Sequence, residues 1–331
     1  VSASEAPAPV GRYAPSPTGT LHLGNLRTAL AAWAFTRSRG GRFLLRIEDL
    51  DTPRLRPECE ERQLQDLRLL GIDWDGEPVR QSTRASLYEQ ACAELQRNAL
   101  AYPCFCSRKD IRSALSAPHA DEHSGAYPGT CRGLPPEEVA RRCAEHRPFS
   151  LRLRTDAAPP LFLDALRGEL PLPLGANGGD FVIRRADGLH AYQLACALDD
   201  ALTGVTEVVR GDDLLDSGAR QRWLLECLGL PAPVYCHIPL MHGPDGRRLS
   251  KRAGDEDLGA LLAAGHDPGG VRSYLAWTLG QCELGERLGP AELLARFRLD
   301  RIPPAPAVFD SAALACFKVT GRSVRPSLPD R

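Results

Sequence analysis

Apolar and polar positions along the chain fall into blocks that read as strand, helix, strand, helix. Gly11 to Tyr13 is a short strand-like run, and the Pro/Gly loop APSPTGTLHLG follows it. NLRTALAAWAFTRSRG then sets apolar residues at helical spacing, which predicts a helix from about Asn25 to Ser38, with Asn25 as N-cap and Gly40 as stop. RFLLRIED is a compact apolar strand, and Glu58 to Leu70 returns to the helical period. This order is the pattern of a parallel sheet with crossover helices. From Cys104 to Pro148 the residues Cys, His, Gly and Pro follow one another irregularly, and the stretch to about residue 180 stays loop-rich, as an insertion would. Alternation resumes in FVIRRADGLHAYQLACALDDALTGVTEVVRG, read as strand, helical segment and strand, and LDSGARQRWLLECLGL fits a helix ending at Gly229 before Pro231. Beyond Lys251 the pattern is mostly helical, as in DLGALLAAGH and VRSYLAWTLG, before a Pro-rich tail. The expected division is a disordered 1–10, the two halves of an α/β domain at 11–103 and 181–252, an insertion at 104–180 and a helical segment at 253–331.

A length of 331 residues gives room for about two domains, and 25% charged with 43% apolar residues is ordinary globular usage. The formal charge of -1 argues against a wholesale polycation, yet nucleic acid stays possible because binding depends on where arginines cluster. The 41 basic residues include only three lysines, Lys109, Lys251 and Lys318. Eleven scattered cysteines imply no disulfide framework, so a reducing cytoplasm is the expected setting. VSASEAPAPV lacks the basic and apolar regions of a signal peptide, and no apolar run approaches 18 residues, so no membrane span is expected.

Two loops carry candidate chemistry. APSPTGTLHLGN lies between a strand and a helix N-terminus, where backbone N–H groups and the helix dipole favour an anion, with His22 and Asn25 three residues apart. GPDGRRLSKRAG places Lys251 in a Gly-rich basic loop. A compact ammonium can follow a phosphate as its charge moves, which the planar guanidinium cannot mimic. Either loop alone also reads as an ordinary turn or a solvated basic loop.

Taken together, PSPTGTLHLGN and RLSK resemble the HIGH and KMSKS signatures of class I aminoacyl-tRNA synthetases, and the intervening RIEDLD and VVRG resemble the glutamyl/glutaminyl branch. Within that branch RIEDLDTPR, HAYQLA and TEVVRGDDLLDSGARQ are similar to the group that places glutamate on queuosine of tRNA(Asp). The resemblance covers about residues 11 to 280 and implies a Rossmann-type parallel-sheet catalytic domain with a zinc-bearing insertion and a short C-terminal helical segment. Only about 80 residues follow RLSKR, so the large anticodon-binding region of a full glutamyl-tRNA synthetase is not expected in this sequence. The implied reaction is ATP-dependent formation of glutamyl-adenylate without tRNA, with Mg2+ as phosphate counter-charge, then transfer to queuosine at the first anticodon position. The rival readings are a truncated glutamyl-tRNA synthetase charging the 3′ end and a non-catalytic RNA-binding paralogue. Related enzymes suggest a monomer.

Carried onto this sequence, the resemblance assigns His22 and Lys251 to catalysis, and His22, Gly24, Asn25 and Lys251 to ATP. The position of Asn25 is a histidine in the signature. Glutamate has two carboxylates and one ammonium, and arginine suits carboxylate clamps. The resemblance points to Arg12 and Arg210 as those clamps, Ser16 and Glu48 around the α-amino group, and Tyr192 along the side chain. Which arginine takes which carboxylate is open. A surface salt bridge is the alternative for Glu48, although Asp49 and Asp51 fit that better, and a core aromatic is the alternative for Tyr192. His190 and His237 read as structural. Cys104, Cys106 and Cys131 suggest structural zinc, which takes four N or S ligands. Chemistry nominates His119 or His123 as the fourth, whereas the family pattern, a Tyr four residues before the last Cys, implies Tyr127. Three ordinary free cysteines are the alternative.

Overall fold

The structure is a computed structural model that describes residues 7–51, 53, 55–107, 109–111, 127–155, 157–159, 161–174, 179–247, 249 and 257–318. Strand β1 (Val10–Tyr13) leads through the Pro/Gly loop into helix α1 (Leu23–Arg37), and β2 (Arg42–Ile47) returns parallel to β1. After α2 (Pro57–Leu69), the short β3 (Val79–Arg80) adds to the far edge of β2. Helix α1 is buried on nearly every side, with Leu26, Ala29, Leu30, Ala31 and Ala34 fully inaccessible, so it lacks the polar face of a surface helix. Its alanines let it lie close to the sheet. Gly11 does the same from the strand side, since a Cβ there would come within 1.9 Å of Thr36 Oγ1.

Helix α3 (Ala85–Arg97) leads into an antiparallel sheet of β4 (Ala101–Cys104), β5 (Ser150–Leu153) and β8 (Phe181–Arg184), with α4 (Pro136–Ala144) between β4 and β5. The hairpin of β6 (Leu161–Asp164) and β7 (Gly168–Pro171) sits between β5 and β8 in sequence. Where the pattern predicts loops, these strands run four residues each, too short for their alternation to stand out. Strand β6 does not stay with the insertion. It pairs parallel with β10 (Val234–Ile238), which pairs with β9 (Glu207–Gly211). Helix α5 (Tyr192–Leu202) precedes β9, and α6 (Leu215–Cys227) joins β9 to β10.

Strand β9 abuts β1, with Thr206 N–H donating to Val10 O at 2.9 Å, so the parallel order across the molecule is β3, β2, β1, β9, β10, β6. The chain thus leaves β1 to one side and returns on the other. That reversal opens a crevice at the C-terminal ends of β1 and β9, the usual ligand position in such sheets. Strand β11 (Met241–His242), helices α7 (Leu258–Ala263), α8 (Pro268–Thr278) and α9 (Pro290–Arg296), strand β12 (Ala307–Val308) and α10 (Ser311–Ala315) complete the chain. Arg27 of α1 ties this segment on, donating to Pro239 O at 2.6 Å and to Thr278 Oγ1 and O at 3.1 Å each. Among the described residues no helix is long and apolar enough to cross a membrane.

Candidate functional site

The crevice holds a cavity of about 330 Å³. Arg12 and Tyr13 line it from the end of β1, Ser16, His22, Gly24 and Asn25 from the loop and first turn of α1, Glu48 from the end of β2, Tyr192 from α5, and Arg210 from β9. Eight of the positions named from the sequence therefore share one cavity. Lys251, the ninth, lies outside the described residues. Of its flanks, Leu249 is buried in the core and Asp257 forms a bridge with His22.

Helix α1 starts two residues earlier than its pattern predicts. His22, not Asn25, is the N-cap, and its Nδ1 accepts the Asn25 N–H at 3.3 Å. A histidine takes the role usually given to Ser, Asp or Asn. Asn25 is thereby moved inside the helix, where its Oδ1 is buried without a hydrogen-bond partner among the described residues.

Below the cavity floor lies an ion cluster. Arg12 grips Asp200 through Nε and Nη2 at 3.1 and 3.2 Å; Arg46 also meets Asp200 and reaches Glu48 Oε1 at 3.1 Å. Burial raises the Asp200 carboxyl, but Arg12 and Arg46 outweigh it and hold the group down at about 2. Glu48 goes the other way, burial lifting it above the usual carboxylate value despite Arg46 and Arg12. Asp200 and Arg46 were not found from sequence. They lie 188 and 34 residues from Arg12, and periodicity carries no signal for such pairings. Asp49 is no surface ion pair either: it is buried and accepts the Ser82 N–H at 2.8 Å and its hydroxyl at 2.5 Å.

Arg210 is 4% exposed and held at all three nitrogens. Nε donates to His237 Nε2 at 2.9 Å, Nη1 to Gln221 Oε1 at 2.7 Å and Nη2 to Leu214 O at 3.3 Å. Each terminal nitrogen keeps a second N–H. Tyr192 is 37% exposed, so it is a cavity-wall residue and not a core aromatic. His190 packs edge-on against Tyr88 with its Nε2 3.3 Å from Glu89.

The second constellation is in the insertion. The sulfurs of Cys104, Cys106 and Cys131 lie within 4.8 Å of one another, a spacing that fits one metal ion. Tyr127 Oη is 3.3 Å from Cys104 Sγ and 3.8 Å from Cys106 Sγ, and accepts the Cys131 N–H at 2.8 Å. Arg152 covers its ring at 3.8 Å. Soft sulfur donors with one oxygen suit zinc better than a hard cation. His119 and His123 lie outside the described residues.

A parallel sheet with its cavity at the strand reversal, lined by a capped helix N-terminus and two arginines, is the arrangement of a Rossmann-type enzyme. Residues 10–268 match the family model of the catalytic domain of class I tRNA synthetases (E and Q), and the chain belongs to that family. It is 48% identical over 92% of its length to the glutamyl-Q tRNA(Asp) synthetase of Symbiobacterium thermophilum, covering 97% of that protein. The protein of the same name from Nocardia farcinica is 49% identical, with 92% and 94% of the two chains covered. Among solved structures, a glutamate tRNA ligase from Elizabethkingia meningosepticum in complex with its amino acid superposes with a TM-score of 0.82 at 29% identity, over 93% of this chain and 68% of that one.

Proposed function

We propose that this synthetase activates glutamate with ATP, without tRNA, and transfers it to queuosine at the first anticodon position of tRNA(Asp). One observation carries the reading. A single cavity joins the N-terminus of α1 to the residues proposed to recognise glutamate, Arg12, Ser16, Glu48, Tyr192 and Arg210. The names of the two relatives at 48% and 49% identity support the acceptor.

In the first step an oxygen of the glutamate α-carboxylate attacks the α-phosphorus of ATP. The bond to pyrophosphate breaks and the mixed anhydride remains. In the second a queuosine hydroxyl oxygen bonds to the acyl carbon, AMP leaves with the anhydride oxygen, and the hydroxyl proton passes to phosphate or water. Such chemistry rests on positioning and electrostatics. His22, Gly24 and Asn25 flank the phosphates at the helix N-terminus, where backbone N–H groups and the Asn25 amide nitrogen can donate to phosphate oxygens. Lys251 supplies positive charge for the phosphates as their charge moves, and Mg2+ comes with ATP. Arg12 spends Nε and one N–H of Nη2 on Asp200, which leaves both N–H groups of Nη1 and the second of Nη2 for a carboxylate. Ionised Glu48 receives the α-ammonium. Zinc on Cys104, Cys106, Cys131 and Tyr127 pins the insertion, which has only a small apolar cluster there.

The test is glutamate-dependent exchange of pyrophosphate into ATP in the absence of RNA. Exchange with glutamate and none with glutamine or aspartate supports the reading; no exchange until tRNA is added contradicts it.

A further inference from the structure

Three neighbouring strands bring Asp164, His237 and Arg210 into line across the sheet. Arg210 on β9 is the register partner of His237 on β10, and β10 lies beside β6, which ends at Asp164. His237 Nδ1 is 2.7 Å from Asp164 Oδ2, and its Nε2 accepts from Arg210 Nε at 2.9 Å. His237 and Asp164 are 0% and 1% exposed. We propose that Asp164 and His237 are positioning residues that fix the guanidinium plane of Arg210 for binding the amino acid, an inference that rests on the glutamate reading above.

Hydrogen-bond polarity leaves one arrangement. Arg210 Nε–H can only donate, so His237 Nε2 must carry a lone pair and the ring proton must sit on Nδ1, facing Asp164. Asp164 is built to receive it. Its Oδ2 also accepts the His237 N–H at 3.0 Å, while Oδ1 accepts the N–H groups of Leu166 and Arg167 at 3.0 Å each. Four donors converge on one carboxylate, and an asparagine there could not accept them all. The other charge facing His237 is Arg167, whose Nε donates to the His237 carbonyl at 3.2 Å. Burial and Arg210 lower the imidazole pKa against the pull of Asp164, which keeps the ring neutral at physiological pH.

The ring is also held mechanically. Tyr235 lies nearly parallel to it, at 12° between planes, and Phe162 closes another side at 6.0 Å between centroids. Helix α6 passes over it at Gly218, where a Cβ would come within 2.7 Å of Phe162 and 3.1 Å of His237. The hairpin carrying Asp164 sits between strands of the insertion in sequence, yet its carboxylate aims the arginine of the crevice.

The test is steady-state pyrophosphate exchange by the full chain carrying Asp164→Asn, His237→Ala or His237→Gln, with melting curves for each. Asp164→Asn and His237→Ala should raise the glutamate KM by about tenfold or more, with the ATP KM unchanged. His237→Gln should restore it to within about threefold, because its amide oxygen can accept from Arg210 while its nitrogen donates to Asp164. Folded variants with a lowered melting temperature and an unchanged glutamate KM would overturn the inference. If the variants do not fold, 15N spectra of wild-type histidines decide: a neutral ring protonated at Nδ1 at pH 7 supports it, and an Nε2–H or doubly protonated ring overturns it. A wild type that binds no glutamate, with that ring tautomer present, sinks the glutamate reading and leaves the aiming of Arg210 standing.

Discussion

In the crevice, buried charges answer one another. Asp200 takes Arg12 and Arg46, Arg46 takes Glu48, and Arg210 is held by His237, Gln221 and a backbone carbonyl. At the cysteine cluster three sulfurs face one another, with Cys106 Sγ 3.5 Å from Cys131 Sγ, and the phenol oxygen of Tyr127 lies 3.3 Å from Cys104 Sγ. Sulfur makes weak hydrogen bonds, so this packing gains little from its own contacts. The difference is instructive. The crevice is preorganised by protein groups, whereas the cysteine cluster has a spacing that could hold one metal ion and few strong contacts of its own. One region should therefore be sensitive to charge deletion and the other to chelation.

The sharpest break is Arg210→Ala, which should lower glutamate-dependent exchange on the order of a thousandfold by removing the proposed carboxylate clamp; an undiminished rate would remove Arg210 from the site. Asp200→Asn should cost about 3 kcal/mol in urea unfolding at pH 7, because Arg12 and Arg46 lose their shared counter-charge. The same group predicts a sign in acid. Its folded pKa lies at about 2, below the unfolded value, so its stabilisation is present above the unfolded value and is lost as pH falls through about 2.

Chelation, or Cys131→Ser, should release one zinc per chain and lower the melting temperature by about 5 °C. Exchange at saturating substrates and low temperature should change less than about twofold, since the cluster lies in the insertion and none of its residues lines the crevice cavity. Absence of zinc from protein purified without chelators contradicts the metal side of the comparison. The smallest effect concerns Glu48. With its carboxyl raised by burial, it should protonate at higher pH than an exposed glutamate, so glutamate affinity falls about three- to tenfold from pH 7 to 5. Glu48→Gln should bind weakly throughout and lose that slope.

Much of this was legible in the sequence because it is local. The helical period of α1 and the apolar run of β2 are set by neighbouring residues, as is the close pair Cys104 and Cys106, whereas Tyr127 came from the family resemblance and not from the residues alone. Long-range polar pairing was not legible. His237 reads as an ordinary buried histidine until β9 and β10 are laid side by side, and Asp164 sits in a stretch that looks like loop. The His22 cap was hidden for another reason: histidine is rare in that role, and Asn25, a favoured cap, stands three residues on.

The acceptor assay tests the central claim most directly. The protein is incubated with labelled glutamate and ATP, then offered queuosine-containing tRNA(Asp), unmodified tRNA(Asp) and tRNA(Glu). Label on the first alone is the predicted result; label on tRNA(Glu), or on no RNA at all, would contradict it.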